Sequence, residues 1–151
     1  MYYAVVAATL LVLPVLSMLF DARGGGHWLD PVLAAKWFTF WAVGVRLFLA
    51  GIRQSLQPRY TANTLLGIKS EESLVLVREL GFANLAMGTI GLLSLLRPGW
   101  VTVAALAGGI YYGLAGIGHI FHNTRNRLEN VAMVTDLLIA VLLLCLVFAI
   151  R

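Results

Sequence analysis

The chain has 151 residues, of which 60% are hydrophobic and 12% charged, with eleven Lys and Arg against seven Asp and Glu. A soluble domain carries about a quarter charged residues, so this composition and a mean hydropathy of +0.88 fit a bilayer as solvent and exclude a disordered chain. The basic residues are scattered over the polar connections with no basic run and no zinc-finger spacing, which excludes nucleic-acid binding.

Five apolar stretches stand out, at about 3–20, 32–53, 74–96, 100–121 and 131–150. At about 1.5 Å rise per residue, each crosses a hydrocarbon core of about 30 Å. Only helices and closed barrels satisfy their backbone in lipid, and the period-two alternation of a barrel is absent. The predicted fold is therefore all-α: a single domain over 1–151, built as an integral membrane bundle of five transmembrane helices.

The first stretch has no basic region before Tyr2-Tyr3-Ala4 and no small-x-small cleavage site after it, so it reads as a retained helix rather than a signal peptide. A connection from Asp21 to Asp30 follows, with Gly24-Gly25-Gly26 as a flexible turn and His27-Trp28 as an interfacial element. Asp30-Pro31 is a helix cap followed by proline at the first helical position, and it starts the second helix. The connection Gln54 to Ser73 contains Pro58 and the mildly apolar Thr64-Leu65-Leu66-Gly67-Ile68, which reads as a short interfacial turn.

Ser70 followed by Glu71 and Glu72 is a second start signal, with the acids favoured by the helix dipole, so the third helix begins about one turn outside the bilayer. Arg97-Pro98-Gly99 permits only a tight hairpin between the third and fourth helices, which are expected to be the closest pair. Their glycines, among them Gly81, Gly88, Gly91, Gly108, Gly109, Gly113, Gly116 and Gly118, allow close backbone approach within the chain or in a homo-oligomer. They are not a phosphate loop, because no Gly-Lys-Ser/Thr follows. Asn123 to Asn130 is either a short connection or a continued turn of the fourth helix, and the sequence leaves that end open. The single Cys145 lies in an apolar run of the fifth helix, where a reactive thiolate is disfavoured.

We call the side holding the N-terminus side A and the other side B. The side-A connections hold Arg53, Arg59, Lys69, Arg125 and Arg127, and side B holds Arg23, Lys36, Arg97 and Arg151. This small excess predicts a cytoplasmic N-terminus and an external C-terminus in a bacterial cytoplasmic (inner) membrane.

Polar side chains inside the apolar stretches carry the functional signal, because each is costly in hydrocarbon. Arg46 lies about 10 Å inside Arg53 and Asp136 about 8 Å past Val131 at helical rise, with Glu79, Asn84, His119 and His122 nearby in depth. His119, His122, Asn123 and Asn126 fall within about 100° of one another if the helix continues, and Glu129 and Asp136 share a face. Arg46, Arg53, Glu79, Asn84, His119, His122, Asn123 and Asp136 thus form a candidate polar cluster on side A.

Several roles fit the cluster. Arg46 and Glu79 are expected to neutralise each other as a buried pair, and Asn84 to make an interhelical hydrogen bond. His119, His122, Glu129 and Asp136 are candidate metal ligands, although no Glu-x-x-His or His-Glu-x-x-His spacing is present. Two histidines on one helix at this spacing cannot clamp a haem. A pocket for a quinone, a lipid or a small solute is the third role, with His119 or Asp136 exchanging a proton or hydrogen bond. No hydrolase constellation is present, so enzymatic chemistry would be redox or proton transfer.

The segments Trp41-Ala-Val-Gly-Val-Arg-Leu-Phe-Leu-Ala-Gly-Ile-Arg-Gln, Arg78-Glu-Leu-Gly-Phe-Ala-Asn-Leu-Ala-Met-Gly and Gly116-Ile-Gly-His-Ile-Phe-His-Asn resemble a family of small bacterial membrane proteins with no assigned function, over about 36–140. The stretch Arg46 to Gly51 is also loosely similar to DoxX-like helical bundles, a resemblance that implies quinone-linked redox chemistry. The leading expectation is a non-enzymatic membrane binding or accessory protein, in which the cluster binds a small ligand or fixes an oligomer within a membrane complex. A quinone-linked redox or proton-transfer component and an oligomeric small-solute transporter are the alternatives.

Overall fold

A computed structural model describes residues 2–121 and 126–150, and it contains helices and turns with no strand among them. Five helices are long and apolar enough to cross a membrane: α1 Tyr2–Ala22, α2 Pro31–Leu56, α3 Ser73–Leu93, α4 Pro98–Phe121 and α5 Arg127–Ala149. This is the predicted multi-pass all-α bundle.

Local sequence explains where these helices begin. The Asp30 side chain accepts a hydrogen bond from the Val32 amide at 2.9 Å, and Pro31 occupies the first turn of α2. At α5 the cap is reciprocal: Asn126 Oδ1 accepts from the Leu128 and Glu129 amides, and Glu129 accepts from the Asn126 amide at 3.0 Å. Helix α3 starts at Ser73, three residues later than Ser70 suggested. There the Ser73 hydroxyl donates to the Ser70 carbonyl at 2.7 Å, which closes the turn before the helix proper.

Two helices widen locally into π turns. In α1 the widened turn Ala8–Val12 precedes the buried Pro14, and the Leu13 amide donates to the Ala8 carbonyl. Proline would clash with the carbonyl four residues back, and the extra residue in the turn makes room for it. In α2 the π stretch runs Thr39–Arg46 and ends where the Leu47 amide donates to the Gly44 carbonyl.

Helix neighbours are set by glycine notches rather than by chain connection. A Cβ on Gly88 would meet the Phe48 backbone at 2.5 Å, and one on Gly91 would meet the Gly44 amide at 2.4 Å. Gly81 and Gly51 make equally close approaches, so α3 packs along α2. On α4, Gly109 abuts Leu144 and Gly116 abuts Leu137, so α4 packs along α5. This corrects the expectation that the third and fourth helices are the closest pair, because a hairpin fixes only adjacent ends whereas groove complementarity chooses the neighbour along the whole length. Gly81, Gly88, Gly91, Gly108, Gly109 and Gly116 are thereby used inside the chain, while Gly118 is exposed with nothing within 4 Å of a Cβ placed there.

The two pairs meet on a core of Ala42, Val43 and Leu47 from α2, Ala105 and Tyr112 from α4, and Ile139, Ala140, Leu143 and Val147 from α5. Helix α1 lies against α2, where Trp41 Nε1 donates to Ser17 Oγ at 2.9 Å. Closer to side B, Lys36 Nζ and Trp37 Nε1 both donate to Asp21 Oδ2, at 2.7 and 3.0 Å. After α2 the chain turns through Pro58–Tyr60 and Thr61–Leu65 against the start of α3, burying Ala62, and passes Gly67 at φ +69°.

Candidate functional site

Arg46 closes the π stretch of α2, ten residues before the helix ends at Leu56, and Asp136 lies nine residues into α5. At helical rise both backbones are about 14 Å from the side-A ends of their helices, close to the middle of the span. Val43 of α2 packs on Gly108 of α4, and Leu137 beside Asp136 packs on Gly116, two turns nearer side A. The long arginine side chain reaches across to α5, and Arg46 Nη2 donates to Asp136 Oδ1 at 2.8 Å. Their side chains are only 12% and 9% exposed. A pair this dry is held by complementarity of charge, since either charge alone would be stranded in a low dielectric.

Tyr112 builds the floor beneath this pair. The Arg46 guanidinium stands 5.0 Å from the centre of its ring, a cation–π contact. Its hydroxyl donates to the Ala42 carbonyl inside the widened stretch of α2, so its polar end is satisfied although the residue is 2% exposed. Tyr2, at the start of α1, is an electrostatic neighbour of the same guanidinium. His119, half-buried on α4, acts electrostatically on the Asp136 carboxylate.

A second polar group adjoins this pair across α2, α3 and α4. Asn84 is 2% exposed on α3 and donates through Nδ2 to Gln54 Oε1 at 2.7 Å. The Tyr111 hydroxyl stands beside the Asn84 amide and within the field of Arg46 and Asp136, which makes one connected polar interior. Among the described residues, five buried side-chain atoms have no hydrogen-bonding partner: Arg46 Nη1, a donor, and Asn84 Oδ1, an acceptor, in this interior, and Thr39 Oγ1, Arg53 Nε and Ser55 Oγ elsewhere along α2.

Of the residues singled out in the sequence, the structure brings Arg46, Asn84, His119 and Asp136 together. Glu79 is exposed on α3, so the expected Arg46–Glu79 pair is replaced by Arg46–Asp136. The reason is geometric: Glu79 lies on the outer face of α3, two positions before the Gly81 notch that seats against α2. Arg53 stands apart from the centre, with its guanidinium 3.8 Å from the Tyr60 ring centre and its Nε buried without a partner.

Glu129 is buried in the cap of α5 rather than turned toward Asp136, so its carboxylate is already engaged. His122 and Asn123 lie outside the described residues. Among the described residues, no three His, Cys, Asp or Glu side chains gather as a metal would require. Tyr112, Tyr111, Tyr2 and Gln54 were missed, and the adjacent Tyr111-Tyr112 in a helix otherwise rich in glycine and aliphatics was the available signal.

Two shallow clefts open on side B, away from this interior. One, of about 240 Å³, lies between Lys36, Ser94, Val101, Thr102 and Ile150, and the other is at Arg97 and Trp100.

No curated protein and no solved structure matches the chain. A family model described as a family of unknown function, DUF6790, matches residues 2–151, which accords with the resemblance to an uncharacterised family. The chain is therefore a member of the DUF6790 family.

Proposed function

We propose that this chain is an integral membrane binding protein that holds a small hydrogen-bonding ligand in the polar interior between α2, α3, α4 and α5. The observation that carries this reading is the pair of buried, unpartnered atoms, Arg46 Nη1 and Asn84 Oδ1. Buried polar groups are almost always satisfied, and an exception calls for an explanation, of which a bound molecule is one. Leaving a charged donor unmet costs more than leaving a neutral one, so Arg46 gives the stronger drive to bind. The cluster is enclosed by helices of one chain, which favours ligand binding over a role in fixing an oligomer.

The setting we propose is a bacterial cytoplasmic membrane with side A, and so the N-terminus, in the cytoplasm; the small excess of Arg and Lys on side A supports it. A second reading, a proton-transfer component working with a quinone, draws support from the gathering of His119, Tyr2 and Tyr111 around Asp136.

Native mass spectrometry of protein extracted from its own membranes in a mild, non-delipidating medium tests the binding function. The expected result is one stoichiometric non-covalent mass in the wild type that is lost in Asn84→Leu. A wild type carrying only a broad ladder of annular lipid refutes it.

A further inference from the structure

The charges and the unmet atoms of this interior restrict what it can hold. We infer that the ligand is an electrically neutral, lipid-soluble molecule with an alcohol- or phenol-type head, accepting a hydrogen bond from Arg46 Nη1 and donating one to Asn84 Oδ1. This rests on the binding function proposed above and names the class of ligand.

Neutrality follows from the ion pair. Arg46 is already balanced by Asp136 at 2.8 Å, with both side chains nearly dry. An anion bound at Nη1 would bring a second negative charge to one buried positive charge and leave the interior with a net charge in low dielectric. A cation would have to compete for the carboxylate that Arg46 holds. A neutral head meets neither penalty.

The need for both a donor and an acceptor follows from which atoms are left over. Arg46 Nη2 is used by Asp136, the face of the guanidinium is covered by Tyr112, and the Tyr112 hydroxyl is used by Ala42. Asn84 Nδ2 is used by Gln54. Arg46 Nη1, a donor, and Asn84 Oδ1, an acceptor, are left without a partner. A hydroxyl supplies both functions from one oxygen.

The route in is from the lipid. Helices α3 and α4 touch far less than α3 touches α2 or α4 touches α5, although the short Pro98–Trp100 turn joins them at side B. Asn84 of α3 and Tyr111 of α4 adjoin across that parting, and the exposed residues beside Tyr111 on α4, Ile110 and Leu114, are apolar. An opening toward such a surface favours a lipophilic molecule over one that must keep its water.

The full chain, purified in detergent and stripped of its native ligand, is titrated with five probes and read by native mass spectrometry and by melting temperature. Monoolein and a short-chain quinol present neutral alcohol and phenol heads; methyl oleate is neutral but only accepts; oleate and dodecylammonium are charged. Monoolein or the quinol is expected to bind saturably, and the better of the two identifies the head. Asn84→Leu is expected to weaken that binding about tenfold, as loss of one buried hydrogen bond does. Val141→Ala, on the exposed face of α5, is the control and is expected to bind as the wild type does.

Methyl oleate is expected to bind about tenfold more weakly than monoolein for the same reason. Saturable binding of oleate or dodecylammonium as tight as that of the neutral heads overturns the inference, as does equal binding of monoolein by Asn84→Leu. A stoichiometric native ligand that proves to be charged overturns neutrality and leaves the binding function standing. Absence of a native ligand together with no saturable probe overturns both.

Discussion

Replacing Asp136 by Asn is the sharpest perturbation of the buried pair, because it removes the charge while keeping the shape. At an effective dielectric of about 20, unit charges about 4 Å apart attract by about 4 kcal/mol. The Arg46 guanidinium keeps its charge under all ordinary conditions, and its side chain is 12% exposed. The loss of Asp136 therefore leaves a buried cation with a cation–π contact to Tyr112 but no counter-charge. One-sided loss of such a pair costs about 3–5 kcal/mol. Removing both charges in Arg46→Met/Asp136→Leu avoids the stranded ion, so the double variant is expected to be more stable than Asp136→Asn. The closed cycle of Arg46→Met, Asp136→Leu and the double variant is expected to give a coupling of at least about 2 kcal/mol, within the range for residues in contact. Reversible unfolding in mixed micelles, followed by circular dichroism, gives the free energies. The matching cycle between Arg46 and Glu79 is expected to be additive within about 0.5 kcal/mol, since the two do not meet. An Asp136→Asn protein as stable as the wild type, or coupling to Glu79 instead of Asp136, refutes the pairing and the ligand argument built on it.

Three further expectations use the same unfolding assay. Gly91→Ala drives a Cβ to 2.4 Å from the Gly44 amide and is expected to cost more than about 2 kcal/mol through overpacking, whereas Gly118→Ala meets nothing within 4 Å and should be neutral or stabilising by up to about 1 kcal/mol. Tyr112→Phe leaves the Ala42 carbonyl without its donor and should cost about 1–3 kcal/mol. Asn126→Ala removes the cap that serves Leu128 and Glu129 and should cost about 1 kcal/mol; a cost near zero for any of the last two would mean that water or a relaxed backbone replaces the bond.

Much of the fold was legible because lipid leaves the backbone few options. The five apolar stretches, the Asp30-Pro31 start and the Arg97-Pro98-Gly99 turn all correspond to observed elements. Pairing of the helices was not legible. Glycine spacing shows that a notch exists without showing what fills it, and here Phe48, Val43 and Leu137 fill notches on other helices. The polar centre was legible in its members Arg46, Asn84, His119 and Asp136, each conspicuous by its cost in hydrocarbon. The partner of Arg46 was not, because depth alone does not tell which face of its helix a carboxylate occupies. Glu79 faces outward on α3, while Asp136, seven residues after the capping Glu129, faces the core. Tyr112 escaped notice because a tyrosine in an apolar helix carries no charge to draw attention, and only the packing of α4 on α2 brings its ring under the guanidinium.

The position of the polar groups follows from the way the bundle is divided. Contacts between α2 and α3 are backbone-close at glycine, and those between α4 and α5 seat Leu137 and Leu144 on Gly116 and Gly109; such contacts have no slack, since a displacement of less than an ångström opens a void or makes a clash. Between the two pairs one notch of the same kind, Val43 on Gly108, is joined by polar contacts: Arg46 to Asp136, Tyr112 to Ala42, Tyr111 beside Asn84. The seam between the pairs is thus the place where the chain keeps its buried charges. A ligand that satisfies Arg46 Nη1 and Asn84 Oδ1 would bridge α2 and α3. Because Arg46 is also bonded to Asp136 of α5, fixing its side chain would brace both halves, and binding should register as added resistance to unfolding of the whole bundle rather than as a local change.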